Sequence, residues 1–246
     1  MSEVPTSQQV QSGERASRGI PAWRGYLRGV GALVWKDLVA ELRSRELLGS
    51  MLVFSALVIL VFNFALELQI QLRASLSSGV LWVTLAFAGT LGLNRSMALE
   101  REGGCLDGLL LTPVDRSALY FGKSIANLLF ILIVALVTLP FFGALYNVSL
   151  LHPGMLLVIV LGAVGYASVG TLLSTMAVQT RTRDVLLPIL LFPVVLPVLI
   201  AAVKASTGYL QGLEPGLIAP WLNLLIVYDV IFVAVAMMVF EFVVQE

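Results

Sequence analysis

Long apolar stretches alternate with short polar and charged segments along most of the chain. A helix needs about 20 mostly apolar residues to cross the hydrocarbon core of a bilayer. Stretches that approach or reach this length predict six membrane-spanning helices, at about 49–66, 79–94, 124–146, 155–178, 185–203 and 217–240. The pattern therefore predicts an all-α integral membrane protein in which residues 23–246 form one membrane domain.

The segment before the first span divides into a polar tail and an amphipathic helix. Residues 1–22 contain no apolar run of the kind that signal peptides carry, which predicts a flexible tail. Residues 23–46 predict an interfacial helix, because apolar side chains recur every three or four residues. These apolar residues are Leu27, Val30, Val34, Leu38 and Leu42. The charged Glu41, Arg43 and Glu46 lie around this stripe. The helix either contacts a partner or only anchors the first span, and the pattern fits both equally well.

Composition supports a membrane protein and excludes several kinds of chemistry. Of the 246 residues, 59% are hydrophobic and 12% are charged, and the mean hydropathy is +0.95. A soluble chain of this size could not bury so much apolar surface. The 15 basic and 15 acidic residues balance, so no nucleic-acid partner is expected. With one cysteine, Cys105, and one histidine, His152, neither an internal disulfide nor a metal site built from several such residues is expected.

The basic residues are concentrated on one side of the predicted membrane. Thirteen of the 15 lysines and arginines lie in three segments. These are the segment before the first span, the connection between the second and third spans, and the connection between the fourth and fifth spans. Only Arg73 and Lys204 fall on the other side. Because cytoplasmic segments of membrane proteins carry the excess of basic residues, both termini are predicted to be cytoplasmic. We therefore expect a multi-pass membrane protein.

The connection 95–123 is the longest one between two spans on the predicted cytoplasmic side. A charge cluster at 100–102 follows the second span, and a glycine pair at 103–104 favours the end of a helix. A second helix is predicted to start near Arg116, where Asp115 can cap it. Leucines at 109–111 then form an apolar patch, which favours docking of a soluble partner, although leucines lying against the bilayer would give the same pattern. The candidate contact residues are Glu100, Arg101, Glu102, Pro113, Asp115 and Arg116.

A stretch that ends in Gly122, Lys123 and Ser124 resembles the end of a phosphate-binding P-loop. The motif requires a glycine where Ser117 stands, a preceding strand and a soluble helix, whereas an apolar span follows here. We therefore predict no nucleotide site and no enzyme activity in this chain. Any ATP hydrolysis belongs to another polypeptide.

Asp229 is the one charged residue inside the predicted spans, near the middle of the sixth. A charge at the bilayer centre costs about 2.5–3.5 kcal/mol on insertion scales, so such residues face the bundle interior, a cavity or a partner. Asp229 is either a functional residue of a transport pathway or a packing residue, and the sequence is compatible with both. An intramembrane enzyme is disfavoured, because no second carboxylate or histidine lies close to it in the sequence.

Small residues recur in the fourth span, where they allow helices to approach closely. They are Gly162, Gly165, Ser168 and Gly170.

Three segments carry a resemblance to a known family. They are residues 36–46 (KDLVAELRSRE), 93–102 (LNRSMALERE) and 108–123 (GLLLTPVDRSALYFGK). In these segments and in its order of spans, the chain resembles the haem exporter protein B (CcmB) family of permeases in cytochrome c maturation. The resemblance covers the chain from about residue 35 onward.

The resemblance implies a six-span, ABC-2-type permease of the bacterial cytoplasmic (inner) membrane that works as a homodimer. It implies that the complex uses ATP either to export haem as cargo or to release a haem-loaded chaperone. It implies an ATP-binding A subunit, haem-handling C and D subunits and, indirectly, a haem chaperone as partners. The amphipathic helix and the segment 100–116 would then form the surface that contacts the ATPase. The competing interpretations are an ABC-2 permease for a lipid, polysaccharide or drug, and a membrane scaffold without a transport cycle.

Overall fold

The computed structural model describes residues 22–66, 70–102, 116–148, 150, 152–177 and 183–243. Within these ranges the chain forms seven α-helices and no strand. They are α1 (Ala22–Ser44), α2 (Glu46–Ala65), α3 (Ile70–Glu102), α4 (Arg116–Tyr146), α5 (Pro153–Ala177), α6 (Arg183–Leu210) and α7 (Pro215–Val243). The prediction of an all-α protein with an amphipathic helix before the spans is confirmed.

Six of these helices, α2 to α7, are long and apolar enough to cross a membrane. They match the six predicted spans in number and order, but most of them are longer than predicted. Helix α6, for example, continues through Lys204 to Leu210 instead of ending near residue 203. The apolar run marks the part of a helix that lies in hydrocarbon, whereas backbone hydrogen bonding continues into the polar boundary.

The predicted connection 95–123 is helical where the structure describes it, in residues 95–102 and 116–123. Helix α3 continues to Glu102, and α4 begins at Arg116. Residues 95–102 include Met, Ala, Leu, Arg and Glu, which favour a helix. The segment contains no glycine or proline that would break one. The predicted leucine patch at 109–111 and the glycine pair at 103–104 lie outside the described residues.

Helices α3 and α5 occupy the centre of the bundle. Helix α3 contacts α2, α4, α5 and α6, and α5 contacts α3, α4, α6 and α7. Helices α2 and α7 bury only a minor part of their surface and expose apolar side chains such as Val61 and Val230. An apolar exposed surface is what a membrane-spanning bundle presents to lipid.

The predicted close packing of the fourth span is confirmed on α5. A Cβ at Gly162 would lie 2.2 Å from the ring of Trp82 on α3, and one at Gly170 would lie 2.3 Å from the side chain of Leu93. A Cβ at Gly165 would lie 2.5 Å from Oδ1 of Asp229 on α7. Because glycine has no Cβ, these positions let the central helices approach each other.

Candidate functional site

Helix α1 meets the spans at one end of the bundle, which we call the basic end and define as α1 together with residues 95–102 and 116–123. Helix α1 packs against α4 and also contacts α2. At the crossing of α1 with α4, a Cβ on Gly122 would lie only 2.8 Å from the Cβ of Leu33. The glycine at 122, part of the rejected P-loop resemblance, therefore serves helix packing.

A single residue, Arg45, separates α1 from α2. Its backbone adopts the left-handed conformation, with φ 56° and ψ 16°. A non-glycine residue in this region interrupts a right-handed helix, so the chain changes direction here. The junction makes α1 a separate element, as the amphipathic pattern predicted, and α1 ends at Ser44 instead of residue 46.

Glu41 caps the first turn of α2 from the preceding helix. Its Oε1 accepts a hydrogen bond from the backbone N–H of Leu48 at 2.7 Å, and its Oε2 accepts one from Leu47 at 3.3 Å. These N–H groups have no partner within their own helix, and the N-terminus of a helix attracts negative charge. Glu41 is only 4% exposed. Its carboxylate, one of the predicted contact groups, is directed at α2.

An ion pair joins α1 to α4. Lys123 Nζ donates to Asp37 Oδ2 at 2.9 Å, and each side chain is 11% exposed. Lys36 Nζ lies 3.3 Å from Oδ1 of the same carboxylate. The two lysines thus contact Asp37 from different helices. The sequence offered no signal for this pair, because its members are 86 residues apart.

A second ion pair connects α2 to α3 at the same end. Arg95 Nη2 donates to Glu46 Oε2, and both side chains are substantially exposed. An exposed pair contributes little stability. It nevertheless fixes where Glu46, a predicted contact residue, is placed, beside the last turns of α3.

The remaining predicted contact residues lie at the ends of three helices or outside the described residues. Glu100, Arg101 and Glu102 form the last turn of α3, and Arg116 is the first residue of α4. Arg43 is exposed near the end of α1. Pro113 and Asp115 lie outside the described residues.

A cavity of about 280 Å³ lies between α1, α3 and α4, with Asp37, Glu41, Ser96 and Lys123 among its lining residues.

Asp229 lies in the interior of the bundle, where α7 crosses α5. It is 7% exposed, and its carboxyl group faces the space left by Gly165. Among the described residues, neither carboxyl oxygen has a hydrogen-bond partner. Of the three predicted locations, the bundle interior is the one that the structure shows. A buried polar group without a partner carries an energetic cost, which favours a functional reason for its presence.

Several other polar side chains in the spans form hydrogen bonds between helices. Tyr166 Oη donates to the carbonyl of Ala86 at 2.6 Å and lies 2.6 Å from the hydroxyl of Thr90. Trp82 Nε1 donates to Ser206 Oγ at 2.9 Å. These bonds link α3 to α5 and α6. The carboxyl group of Asp229 differs from these groups, because no described residue forms a hydrogen bond with it.

His152 lies at the opposite end of the bundle and is exposed. Its Nδ1 accepts a hydrogen bond from the backbone N–H of Gly154 at 3.2 Å, and its ring lies 5.7 Å from that of Tyr209. Across the described ranges, no group of three or more histidine, cysteine or acidic side chains is placed to hold a metal ion.

Six apolar helices and a helix attached to their basic end define a polytopic α-helical membrane protein. Residues 29–245 match the family model described as CcmB protein. The chain belongs to the CcmB family. The resemblance carried by the three short segments is thereby confirmed.

Relatives that share the name Heme exporter protein B come from several bacteria. The chain is 30% identical over 167 residues to Heme exporter protein B of Pseudomonas aeruginosa, which covers 68% of this chain and 75% of that protein. It is 28% identical over 185 residues to Heme exporter protein B of Rhodobacter capsulatus, covering 74% and 84%. The protein of that name from Bradyrhizobium diazoefficiens is 25% identical over 189 residues, covering 76% and 84%.

Proposed function

We propose that this chain is the membrane permease subunit of a haem export system that serves cytochrome c maturation. The observation that carries the proposal is the family match over residues 29–245, which includes all six candidate spans. The printed names of the relatives describe haem exporters. The cargo of the system is haem, or a haem-loaded chaperone that the complex releases.

The basic end faces the cytoplasm in this proposal, and both termini lie on that side. The support is the distribution of lysine and arginine, thirteen of which lie on one side of the spans. The protein then resides in the bacterial inner membrane. It works as a homodimer alongside haem-handling C and D subunits.

ATP hydrolysis takes place in a separate A subunit that docks on the basic end. The docking surface consists of Arg43 and Glu46 near the α1–α2 junction and the ends of α3 and α4 with the segment between them. Glu41 has a positioning role, because its carboxylate is buried against α2. It stabilises the α1–α2 junction and so determines where Arg43 and Glu46 lie.

Movement of the ATPase reaches the spans through the contacts of α1. Helix α1 is attached to α2 through Glu41 and to α4 through the Asp37–Lys123 pair, and α2 is attached to α3 through the Glu46–Arg95 pair. A push on α1 therefore displaces three spans together. The ATPase shifts the conformational equilibrium only to the extent that it binds the two conformations with different affinity.

Deletion of the gene tests the proposed function. We expect loss of c-type cytochromes and an altered amount of haem-loaded chaperone, with recovery when the wild-type gene is restored. Normal c-type cytochromes in the deletion strain would contradict the proposal and favour a permease for another cargo.

The docking surface is tested separately by charge reversal. We expect Glu100→Lys or Arg116→Glu to reduce both the recovery of the A subunit in a pull-down and the ATPase activity of the complex. Lys204→Glu, at the opposite end of the bundle, is the matched control and should leave both unchanged. Normal assembly and ATPase activity in the first two variants would reject the docking surface without touching the family assignment.

A further inference from the structure

The crossing of α5 with α7 encloses the carboxyl group of Asp229 in apolar surroundings. A Cβ added at Gly165 would lie 2.5 Å from Oδ1 of Asp229, so the carboxyl group occupies the space that this glycine leaves open. The same added atom would lie 3.2 Å from a methyl group of Val198 on α6 and 3.3 Å from the ring of Tyr228. The space beside the carboxyl group is therefore bounded by a glycine, a methyl group and an aromatic ring.

The helices that pack against α7 carry their charged residues away from this carboxyl group. Helix α7 contacts α4, α5 and α6, and α5 contains no charged residue. On α6, the nearest charged residue along the chain from Val198 is Lys204, which is exposed and lies about 9 Å further along the helix axis. Helix α4 carries Arg116 and Lys123 near its start, at the basic end, where Lys123 binds Asp37.

Three tyrosines of α4, α5 and α7 direct their hydroxyl groups elsewhere. Tyr228 donates to the carbonyl of Val194 on α6 at 2.9 Å, and Tyr120 donates to the carbonyl of Ser168 on α5 at 3.0 Å. Tyr166 donates to a carbonyl of α3. Phenol groups are neutral at neutral pH, so these side chains add no charge near the carboxyl group.

Burial without a partner decides the protonation state of such a group. Asp229 is 7% exposed, and among the described residues neither of its oxygens has a hydrogen-bond partner. An ionised carboxylate would lose its hydration with no compensation, whereas a neutral carboxylic acid loses much less. A metal cation would need further oxygen ligands, whereas the groups beside Gly165 offer carbon atoms. The ligand that this site fits is a proton.

The helix beside the site contains the means to change its course. Pro193 and Pro197 of α6 lack the backbone N–H that a carbonyl four positions earlier would accept, and such positions are where helices kink. The carbonyl of Val194, between these prolines, accepts the hydrogen bond from Tyr228, the neighbour of Asp229 in the sequence. A change in the bend of α6 therefore acts directly on the part of α7 that carries the carboxyl group.

We propose that Asp229 is an intramembrane proton-binding site, protonated while α5 and α7 are packed together and deprotonated when their crossing opens to water. On opening, the O–H bond of the carboxyl group breaks, the proton passes to a water molecule, and the electron pair stays on the carboxylate. Closure takes up one proton from water. Because the closed crossing binds the proton more tightly than the open one, a rise in pH favours the open crossing.

The inference goes beyond the proposed function, because it concerns the bundle and not its cargo. It gives the movement of the spans a second input, the proton, beside the ATPase. Measurements on the purified chain test it without haem or partner subunits, so its failure would leave the family assignment and the proposed cargo untouched.

Infrared spectroscopy tests the protonation state in the full-length protein. The protein is solubilised in a detergent without ester groups, because lipid esters absorb where carboxylic acids do. At about pH 7, where ordinary carboxyl groups are ionised, we expect the carbonyl-stretching band of one protonated carboxylic acid in wild type. Asp229→Asn should remove the band, and Glu214→Gln, at an exposed position just before α7, should keep it. Absence of the band in wild type, or its persistence in Asp229→Asn, would overturn the proposal.

Hydrogen exchange tests the link between the proton and the crossing. After correction for the intrinsic pH dependence of amide exchange, we expect exchange around Gly165 and Asp229 to rise several-fold from about pH 6 to about pH 8 in wild type. Asp229→Asn mimics the neutral acid and should show no such rise, whereas Glu214→Gln should behave as wild type. Corrected exchange that is independent of pH in wild type, or that rises equally in Asp229→Asn, would overturn the proposal.

Discussion

Lys123 of α4 donates a hydrogen bond to Asp37 of α1 at 2.9 Å, and both side chains are largely buried at the basic end of the bundle. The pair holds an amphipathic helix against the beginning of a membrane span. Its position beside Gly122 and Leu33 adds close packing at the same crossing. The polar contact and the close approach together determine where α1 lies on α4.

Removal of one member of this pair should loosen α1. Lys123→Met deletes the donor and leaves Asp37 with Lys36 alone, so we expect a loss of about 1–3 kcal/mol in the free energy of unfolding. We also expect faster proteolytic cleavage within α1. Thermal unfolding of the solubilised protein and timed proteolysis measure the two effects.

The control for this prediction is Lys36→Met, which removes a lysine that is 43% exposed and should change little. The exchanged pair Asp37→Lys with Lys123→Asp should restore much of the lost stability. Equal effects of Lys36→Met and Lys123→Met would contradict the assignment of Lys123 as the principal partner.

Glu41 should stabilise the α1–α2 junction through its cap on α2. Glu41→Ala removes acceptors for two backbone N–H groups, and we expect a loss of about 1–2 kcal/mol. Glu41→Gln keeps a carbonyl acceptor and should lose less. Thermal unfolding measures both variants, and a Gln variant as unstable as the Ala variant would show that the charge, and not the hydrogen bond, matters.

Asp229→Asn should impair maturation of c-type cytochromes several-fold while the protein accumulates normally. The amide has the same shape and removes a carboxyl group that lacks a partner, so thermal stability should be unchanged or higher. Cytochrome content and immunoblotting measure the two quantities. Asn223→Ala, an exposed position on the same helix, serves as the control. Full maturation in Asp229→Asn would reduce this residue to a packing role.

Gly162→Ala should destabilise the centre of the bundle by about 1–3 kcal/mol. The new Cβ would lie 2.2 Å from the Trp82 ring, and a hydrogen bond to Ser206 restrains that ring. Gly79→Ala on α3 meets no neighbour within 4 Å and should be neutral or stabilising. Thermal midpoints that fall equally in both variants would argue against a packing clash.

The number and order of the spans could be predicted from the sequence because each apolar run is long enough to cross a bilayer. The helix bounds could not, since backbone hydrogen bonds continue past the last apolar residue, as they do from the predicted end of the second span to Glu102. Glu100 and Arg116 were correctly placed near helix ends, because glycine and proline between them break the chain. Their role in docking stays a prediction.

The sequence by itself determined the membrane class, the six spans, the separate amphipathic helix, the family and the isolation of Asp229 within the apolar runs. These properties depend on local composition and on short segments that can be compared directly. Only the tertiary structure decided that Asp37 pairs with Lys123, that Glu41 caps α2, that Asp229 faces Gly165, and that α1 turns both of its acidic side chains inward. Each depends on which faces of distant helices meet, and a single helical pattern does not specify its neighbour.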